Sequence, residues 1–534
     1  MIKSYIKLIA ISVGITISLF AIANYLPNAF DWVSITLGML AVGVITFNEI
    51  PAGRRVPWTY VEFDSTGAVS SGQGMPHKIA VIGQMLSTGT ATANTPIRVT
   101  SYAQAQTLFG AGSMLSFMAK RLIQNNPSTE AWYFPLAEIV GGTQAVGKLA
   151  VTVTTATAGT IYLYIAGIRL SIGVTAGMTD AQIATAIVAE ITSNVNNLPV
   201  TAAVNGTNSN EVDITCNWKG TTGNEIDLSL NYNSGESLPT GVSIAITDMA
   251  SGATDPDIQD ALDQFLDVHY TEIVSPYTDS ASLTAISTEM NTRNGATIQL
   301  DGYAFMAKNE TLGNLSTLGD SVNSQFLLIM GFNNSPSPSW EWASALAARC
   351  AFEAQNDPAK PVQTVELTGV LPPKTADRFT ADERNLLLYD GISTFTVDAN
   401  NVVRMERVIT TYKTDATGAD DPSYLNWETM ATLSYLRYDF RNTFLRKFPR
   451  YKLADDGNRL SPGQQILTPK NAKAEAVAIF LTWQELGLVE NADAFKESLI
   501  VERNIADRDR LDFNIQPDLI NQFRVAGAKI SFIL

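Results

Sequence analysis

A continuous apolar run, KIAVIG at residues 78–83, restricts the folds that are open to this chain. A strand without polar alternation is buried on both faces, and such strands occur in parallel sheets that helices cover. Helical spacing follows at residues 101–109 and 113–122, and the segment AWYFPL at residues 131–136 predicts the next strand. The simplest account of this order is a βαβ unit inside an α/β domain.

The α/β pattern is interrupted after a pair of glycines. From residue 146 to residue 248 the composition shifts towards Thr, Ala, Val, Gly and Asn, with the alternation that is typical of half-buried strands. Helix and strand patterns then resume, beginning with a helix predicted at residues 255–266. We therefore predict an α/β domain, made of residues 62–145 plus 249–375, that is interrupted by a small β-rich insertion at residues 146–248.

The last part of the chain predicts a C-terminal α+β domain, which we place at residues 376–514. A helix near residues 381–389 precedes strand patterns at residues 393–397 and 402–411, and the Asx-rich turn between these strands favours a hairpin. A long helix follows at residues 424–446. The chain as a whole is predicted to be an α/β and α+β multidomain protein, which its length of 534 residues also indicates.

Both flanks of these domains are extended in character. Pro51 and Pro57 exclude a helix from residues 45–61, which we interpret as an N-terminal arm. Residues 515–534 form a predicted C-terminal arm, and its last part, QFRVAGAKISFIL, predicts an apolar strand with no partner adjacent in sequence. The unpaired backbone groups of such a strand promote aggregation unless another chain supplies a sheet edge with which the strand can pair.

Residues 1–44 form a hydrophobic extension that stands apart from the predicted domains. Two lysines precede an uncharged stretch at residues 8–30, which is long enough to cross a bilayer. The basic start, the apolar centre and the small-x-small pattern at residues 21–23 also match a signal peptide. Two interpretations stay open, namely a transmembrane or export segment and a misassigned start upstream of Met39.

The charge and the cysteine content exclude several classes of function. A formal net charge of −16 argues against a general nucleic-acid binder, because neutralising phosphates needs a basic surface. Cys216 and Cys350 lie far apart, with no CxxC motif and no nearby His, which argues against a disulfide framework and a zinc site. We predict two buried thiols in a reducing cytoplasm.

No catalytic constellation stands out in the sequence. His77 and His269 are the only histidines, and no GxSxG motif surrounds any serine. A GxxxxGK stretch at residues 142–148 continues with Leu149, where a phosphate loop needs Ser or Thr, and a strand pattern follows where that loop needs a helix. We therefore expect no enzyme activity and no catalytic, cofactor-binding or metal-binding residues.

A group of basic residues lies close together in this acidic chain. Arg437 and Arg441 are four positions apart and share one face of the predicted helix at residues 424–446. A solvated helix face and a docking surface for an acidic partner account equally well for the group. Its members are Arg437, Arg441, Arg446, Lys447, Arg450 and Lys452.

Six fragments follow one another along the sequence in an informative order. They are TFNEIP with RVPWTYVEFDSTGA (46–68), KIAVIGQ (78–84), LLLYDGIST (386–394), RVITTY (407–412), the helix at 436–446, and RLDFNIQPDLINQFRVAGAKISFIL (510–534). Together these fragments resemble the tail sheath proteins of Mu-like contractile phages. Each fragment alone is weakly specific, and the resemblance covers nearly everything from about residue 45 onwards.

The resemblance implies a fold and a function. The implied fold is a subtilisin-like α/β sandwich domain with outward insertions, joined to a C-terminal domain that faces an inner tail tube. The implied function is that of a structural subunit, which forms stacked rings around the tube and contracts by subunit repacking to drive the tube through the host envelope. The likeness to subtilisin is one of fold, and fold does not carry catalytic function. The implied location is the tail of the virion, after assembly in the host cytoplasm.

The resemblance also implies partners and contact residues. The partners are further copies of the chain, the tail tube protein, and baseplate and tail terminator proteins, without nucleic acid. In such sheaths the arms add strands to neighbouring subunits, which is β-augmentation. The implied arm residues at subunit contacts are Ile45, Phe47, Ile50, Phe523, Val525, Ile530 and Phe532. The implied tube-facing residues are Arg437, Arg441, Arg446, Lys447 and Arg450.

Two alternative functions are also compatible with the sequence. A subtilisin-like hydrolase would need His77 or His269 as its general base. A membrane-anchored envelope protein would need residues 1–44 to be a genuine transmembrane segment, and only then would a membrane be a partner.

Overall fold

The computed structural model describes residues 74–458 and 463–533. The predicted hydrophobic extension (1–44) and the predicted N-terminal arm (45–61) lie outside these residues, so both stay predictions. Within the described part of the chain, no helix combines the length and the apolar character that a membrane crossing requires.

The apolar run that begins at Lys78 forms a strand that is buried from its second residue onwards. It pairs in parallel with the strand Glu130–Leu136, so the predicted βαβ unit is confirmed. Gly83 permits a close approach of the intervening helix, because a Cβ there would lie 2.9 Å from Met118 and 3.0 Å from Leu115. The elements of this part are β1 (Lys78–Gln84), β2 (Ile97–Arg98), α1 (Tyr102–Phe109), α2 (Met114–Asn125) and β3 (Glu130–Leu136).

A β-rich segment of two antiparallel sheets and one helix follows. Alternate residues of the strand Glu211–Lys219 are buried, as in a sheet with one packed face. Its elements are β4 (Gln144–Val153), β5 (Gly159–Ile165), β6 (Ile168–Val174), α3 (Asp180–Ser193), β7 (Val200–Val204), β8 (Glu211–Lys219), β9 (Leu228–Leu230) and β10 (Val242–Ala250). The strands form one sheet in the order β10-β4-β8-β7 and a second in the order β6-β5-β9.

The chain then returns to the α/β pattern and completes the first sheet. The elements are α4 (Gln259–Leu262), β11 (Glu272–Val274), α5 (Ser280–Asn294), β12 (Tyr303–Asn309), α6 (Leu312–Asp320), β13 (Leu327–Phe332) and α7 (Ser339–Asn356). The sheet has the order β13-β12-β11-β1-β3-β2, and every neighbouring pair is parallel except β2 with β3. Because β11 lies beside β1, this sheet is built from sequence on both sides of the β-rich segment.

The helix predicted at residues 255–266 was wrong in extent, since only Gln259–Leu262 is α-helical. The Asp257 carboxylate accepts the backbone N–H of Gln259 at 2.9 Å, and such an Asx turn competes with a longer helix. Leu266 adopts the left-handed region with φ of 43°, which also ends helical geometry.

The C-terminal part begins with a helix and a hairpin. Thr394–Val397 pairs antiparallel with Val403–Arg407, so the predicted hairpin is confirmed. The elements are α8 (Ala381–Tyr389), β14 (Thr394–Val397), β15 (Val403–Arg407), α9 (Trp427–Lys447), β16 (Lys452–Leu453), β17 (Ile466–Leu467), α10 (Pro469–Glu485), β18 (Val489–Glu490), α11 (Ala492–Ser498), β19 (Ile500–Arg503), β20 (Leu511–Asn514) and β21 (Asp518–Leu519). The later strands form three two-stranded sheets, β16-β17, β18-β21 and β19-β20.

One hydrophobic core joins the main sheet, the β-rich segment and the hairpin β14-β15. Trp342 of α7 is fully buried between Phe332 and Phe395, with ring centroids 4.6 Å and 4.8 Å away. Trp340 packs edge-on against Trp218 of β8 at 5.4 Å. The aromatic side chains of α7 therefore connect three parts of the chain that are distant in sequence.

A second, smaller core surrounds α10 and includes Leu436, Phe480, Trp483 and Phe495. The change of core falls inside α9, because Met430 and Ala431 still belong to the first core whereas Leu436 belongs to the second. This place differs from the predicted domain boundary at residue 376. The reason is that the hairpin packs inwards, with Phe395 and Met405 in the first core.

A buried ion pair lies where α9 meets the main sheet. His77 Nδ1 is 2.8 Å from Glu272 Oε1, and both side chains are buried. Burial works against the charged imidazolium, but attraction to Glu272 and the hydrogen bond with it outweigh this effect, so the pKa of His77 is raised above 6.5.

The raised pKa of His77 predicts a pH dependence of stability. A histidine whose pKa is higher in the folded state adds stability that is complete below the unfolded value of 6.5 and is lost as pH rises through the folded value. The thermal unfolding midpoint should therefore fall as pH rises above about 6.5, and His77→Gln should reduce this slope. Equal slopes in the two proteins would contradict the assignment.

Candidate assembly interface

The predicted C-terminal arm is attached to the body of the protein over its first part. Asp518 and Leu519 form β21, which pairs antiparallel with β18. The backbone N–H of Ile520 donates to the carbonyl oxygen of Leu488 at 3.1 Å. Asn491 Nδ2 donates to the Asp518 carboxylate at 2.6 Å. The arm is therefore held at the edge of the small second core up to Ile520.

Two further contacts hold the arm a few residues later. Gln363 Nε2 donates to the carbonyl oxygen of Phe523 at 3.3 Å. Arg524 Nη2 donates to Glu428 Oε2 at 2.7 Å, and the Glu428 carboxylate is fully buried in the first turn of α9. These contacts join the arm to the region between the two cores.

Beyond Arg524 the arm has no attachment among the described residues. Residues 525–533, which we name the free arm, form no hydrogen bond or strand pairing with the other residues that the structure describes. Its large apolar side chains are exposed, with Val525 at 87%, Ile530 at 88% and Phe532 at 79%. The strand predicted at residues 522–534 is thus absent from the described residues of the single chain, because a strand needs a partner edge.

Two small sheets near the arm offer such edges. In the described part of the chain, β19-β20 and β18-β21 each consist of two strands, so each sheet has unpaired outer edges. Val501 and Leu519 from these sheets pack against the second core, so one face of each sheet is covered. Ile500, at the start of β19, is 53% exposed.

The structure divides the predicted basic cluster into paired and unpaired members. Arg437 Nη1 lies 2.8 Å from Asp301 Oδ1 and also donates to the backbone oxygen of Asn294, so it joins α9 to the main domain. Lys447 pairs with Glu475 of α10. Arg441, Arg446 and Arg450 are exposed and form no ion pair with other described residues. The side chain of Lys452 is likewise exposed and, among the described residues, donates only to Gln464, so the solvated-face and docking interpretations concern these three arginines and Lys452.

Replacing Arg437 is expected to cost stability. Burial raises the pKa of Asp301 to about 6, and Arg437 counteracts this effect. An acid with a raised folded-state pKa loses stability as pH rises from about 3.8 through that value, and Arg437→Met should extend the loss to higher pH. We expect a cost of about 1–3 kcal/mol at neutral pH, which shrinks towards about pH 5. Urea unfolding at both pH values measures it.

The matched control for this prediction is Arg441→Met, which removes the same group from an exposed position one helical turn away. Its effect should stay within about 0.5 kcal/mol. Equal losses in Arg437→Met and Arg441→Met would contradict the role of the Arg437–Asp301 ion pair.

The residues that were considered as catalytic candidates form ion pairs and hydrogen bonds that stabilise the fold. Neither histidine hydrogen-bonds to a serine or cysteine among the described residues: His77 pairs with Glu272, and His269 Nε2 lies 2.8 Å from the backbone oxygen of Asp301. Burial raises the pKa of the Cys216 thiol to about 12. Lys148 of the GxxxxGK stretch lies in β4 and pairs with Glu211 at 2.8 Å. Among the described residues, no group of three or more His, Cys, Asp or Glu side chains is placed to hold a metal.

Comparisons with known proteins agree on one family. The phage tail sheath protein central domain matches residues 251–411, and the phage tail sheath C-terminal domain matches residues 419–533. The chain is 42% identical over 490 residues to the Mu-like prophage FluMu tail sheath protein of Haemophilus influenzae, a match that covers 92% of this chain and 100% of the relative.

Solved structures of sheath proteins are also similar to this chain. One is the sheath tail protein of Desulfitobacterium hafniense, at 12% identity and a TM-score of 0.44, covering 87% of this chain and 100% of that one. Another is the sheath complex of an extracellular contractile injection system in its contracted state, at 9% identity and a TM-score of 0.45, covering 90% and 98%. On the family models and the Haemophilus relative, the chain belongs to the phage tail sheath proteins, which are structural components of contractile tails.

Proposed function

We propose that the chain polymerises as stacked rings around a tail tube, and that the free arm of each copy adds a strand to the edge of β19-β20 or β18-β21 in a neighbouring copy. The observation that carries this proposal is the combination of an exposed apolar arm with unpaired sheet edges in one molecule. Backbone hydrogen bonds would supply affinity, and the alternating side chains would fix the register.

The free-energy contributions favour many weak contacts between subunits over one strong contact. Full burial of a large apolar side chain contributes roughly 1.5–3 kcal/mol. Ordering each backbone residue costs about 1–2 kcal/mol and offsets much of that gain. A single arm contact is therefore expected to be weak, and a polymer in which every subunit gives and receives arms gains stability from repetition.

Further parts of the proposal rest on the resemblance to sheath proteins. Residues 45–61, with Ile45, Phe47 and Ile50, would supply a second arm, and they lie outside the described residues. The main parallel sheet with its covering helices would correspond to the subtilisin-like domain. A helical polymer would also contact baseplate and tail terminator proteins at its two ends and would assemble in the host cytoplasm.

Contraction is proposed to be rigid-body movement of subunits that stay linked by their arms. The support is that one continuous core extends from β1 to the first turns of α9, because packed cores shift between discrete arrangements and do not deform continuously. The energy would be that of a metastable packing held by a barrier. This mechanism requires no nucleotide.

Electron microscopy of the purified chain tests the proposed polymer. Negatively stained preparations should show regular rings or tubes. A monodisperse monomer across protein concentrations and salt conditions would contradict polymerisation by this chain.

The unpaired arginines of α9 and its end are proposed to face the tail tube. The proposed partner surface on the tube is acidic. Reversing Arg441 and Arg450 to Glu should therefore weaken co-assembly with the tail tube protein of the same phage, because like charges then meet at the interface. The control variant Arg98→Glu with Lys374→Glu makes the same change in net charge at exposed positions of the main domain. Sedimentation of mixed polymers should show a loss of tube-bound chain for the first variant only; equal binding by both would contradict the proposal.

A further inference from the structure

Glu428 carries a buried negative charge at the start of α9. One carboxylate oxygen accepts the backbone N–H of Val362 at 3.1 Å, and the other accepts Arg524 Nη2 at 2.7 Å. A carboxylate that is removed from water stays charged only if it is paired and hydrogen-bonded. In the described residues, Arg524 is the one cation within ion-pair distance of Glu428.

Arg524 occupies a special place in the arm. It is the last residue of the arm that hydrogen-bonds to other described residues, because the free arm begins at residue 525. Its side chain is only 14% exposed, although its neighbours Phe523 and Val525 are among the most exposed apolar residues that the structure describes. The arm therefore turns one charged side chain inwards and its apolar side chains outwards.

A second arginine stands near this pair without replacing it. Arg407 donates from Nε and Nη2 to the side-chain oxygen of Asn426, at 3.2 Å and 2.9 Å. Its hydrogen bonds are thus directed to the residue that precedes α9, and the Glu428 charge is left to Arg524. The ion pair joins residues 96 positions apart in sequence.

We infer that Arg524 and Glu428, which we name the arm anchor, fix the point from which the free arm leaves the subunit and so position it for strand exchange. The inference rests on the proposed arm exchange. It assigns Arg524 a positioning role that is separate from the apolar contacts of the arm.

The anchor matters because it limits the reach and the freedom of the arm. Without it, the arm beyond Ile520 is held only by the 3.3 Å hydrogen bond from Gln363 to the carbonyl oxygen of Phe523, so up to four more residues become mobile. An extended chain advances about 3.3 Å per residue, so the reach of the arm would grow by at most roughly 13 Å. The effective concentration of the arm at a neighbouring edge would fall, and more residues would have to be ordered on binding.

The test uses full-length variants with matched charge. Arg524→Met with Glu428→Gln removes both charges and keeps an acceptor for the Val362 N–H, so no buried charge is left unpaired. Arg524→Lys keeps the positive charge and serves as the conservative variant. A nitroxide attached to Ser531→Cys reports arm mobility, and both native cysteines are buried, which keeps the labelling specific.

We expect the double variant to unfold at the wild-type temperature, to show a more mobile label, and to need about tenfold more protein before polymers sediment. Arg524→Lys should give an intermediate concentration. An unchanged concentration in the double variant would overturn the inference. If the double variant does not fold, Arg524→Lys decides alone, and a more mobile label together with wild-type polymerisation by that variant would overturn the inference.

A chain that ends at Arg524 separates failure of the anchor from failure of the arm exchange. If this shortened chain polymerises normally, the proposed arm exchange is wrong. If it does not polymerise while the double variant polymerises at the wild-type concentration, the arm exchange stands and the anchor is wrong.

Discussion

Replacing Ile530 and Phe532 by aspartate is expected to abolish polymer formation while leaving the monomer folded. Both side chains are exposed in the single chain, at 88% and 79%, so the change removes no packing from the monomer. On a neighbouring sheet the same positions would be buried, and losing their apolar contribution costs about 3 kcal/mol or more per arm. That is a loss of roughly a hundredfold in each association constant. Analytical ultracentrifugation measures the polymer fraction.

The conservative pair Ile530→Val with Phe532→Leu is the control for this experiment. It keeps apolar side chains of slightly smaller size at both positions, so polymers should still form at a moderately higher concentration. Polymers of normal yield from the aspartate variant would show that the free arm is not the linking element.

Removing the indole of Trp342 is expected to produce the largest loss of stability from one substitution. The side chain is fully buried between Phe332 and Phe395, and its Nε1 donates to Ser335 Oγ at 3.0 Å. Trp342→Ala should cost about 3–5 kcal/mol, because a large cavity opens where α7, β13 and the hairpin β14-β15 meet. That is a large part of the roughly 5–15 kcal/mol that keeps a typical domain folded. The urea midpoint of unfolding measures it.

Tyr389→Ala is the matched control, since Tyr389 is a large aromatic residue that is 75% exposed on α8. Its loss should change the free energy of unfolding by no more than about 0.5 kcal/mol. A similar midpoint for Trp342→Ala and Tyr389→Ala would show that the Trp342 contacts do not hold the three elements together.

The elements with strong local signals were predictable from sequence. The apolar run of β1 has no polar alternation and predicted a buried strand, which is observed. The Asx-rich turn at residues 398–401 predicted a hairpin, which is also observed. The segment at residues 255–266 had helical spacing, but the Asp257 side chain competes for the backbone at Gln259. The spacing of apolar residues carries no signal of such competition between a side chain and the backbone.

Features that depend on distant residues could not be predicted. The hairpin β14-β15 was assigned to the predicted C-terminal domain at residues 376–514, yet Phe395 packs onto Trp342 in the first core. Arg437 looked like a member of a surface cluster, and its pairing with Asp301 became visible only when α9 was placed against the main domain. Neither contact leaves a periodic signal in the sequence.

For the C-terminal arm, too, the local pattern was predictable from the sequence, whereas the contact with a distant residue was not. Its apolar composition predicted a strand with no partner adjacent in sequence. In the described part of the chain, residues 525–533 are unpaired, and their large apolar side chains are exposed. Its anchor was missed, because an arginine in a mixed arm and a glutamate in a helix carry no sign of each other. The comparisons with sheath proteins give no support to the hydrolase or to the membrane-anchored envelope protein.

A helical reconstruction of the assembled polymer by electron cryomicroscopy tests the arm exchange most directly. The account predicts that residues 525–533 form a strand that is hydrogen-bonded to β19-β20 or β18-β21 of a neighbouring copy, with Arg524 still on Glu428 of its own chain. A polymer in which these residues stay unpaired, or fold back onto a sheet of their own chain, would contradict it.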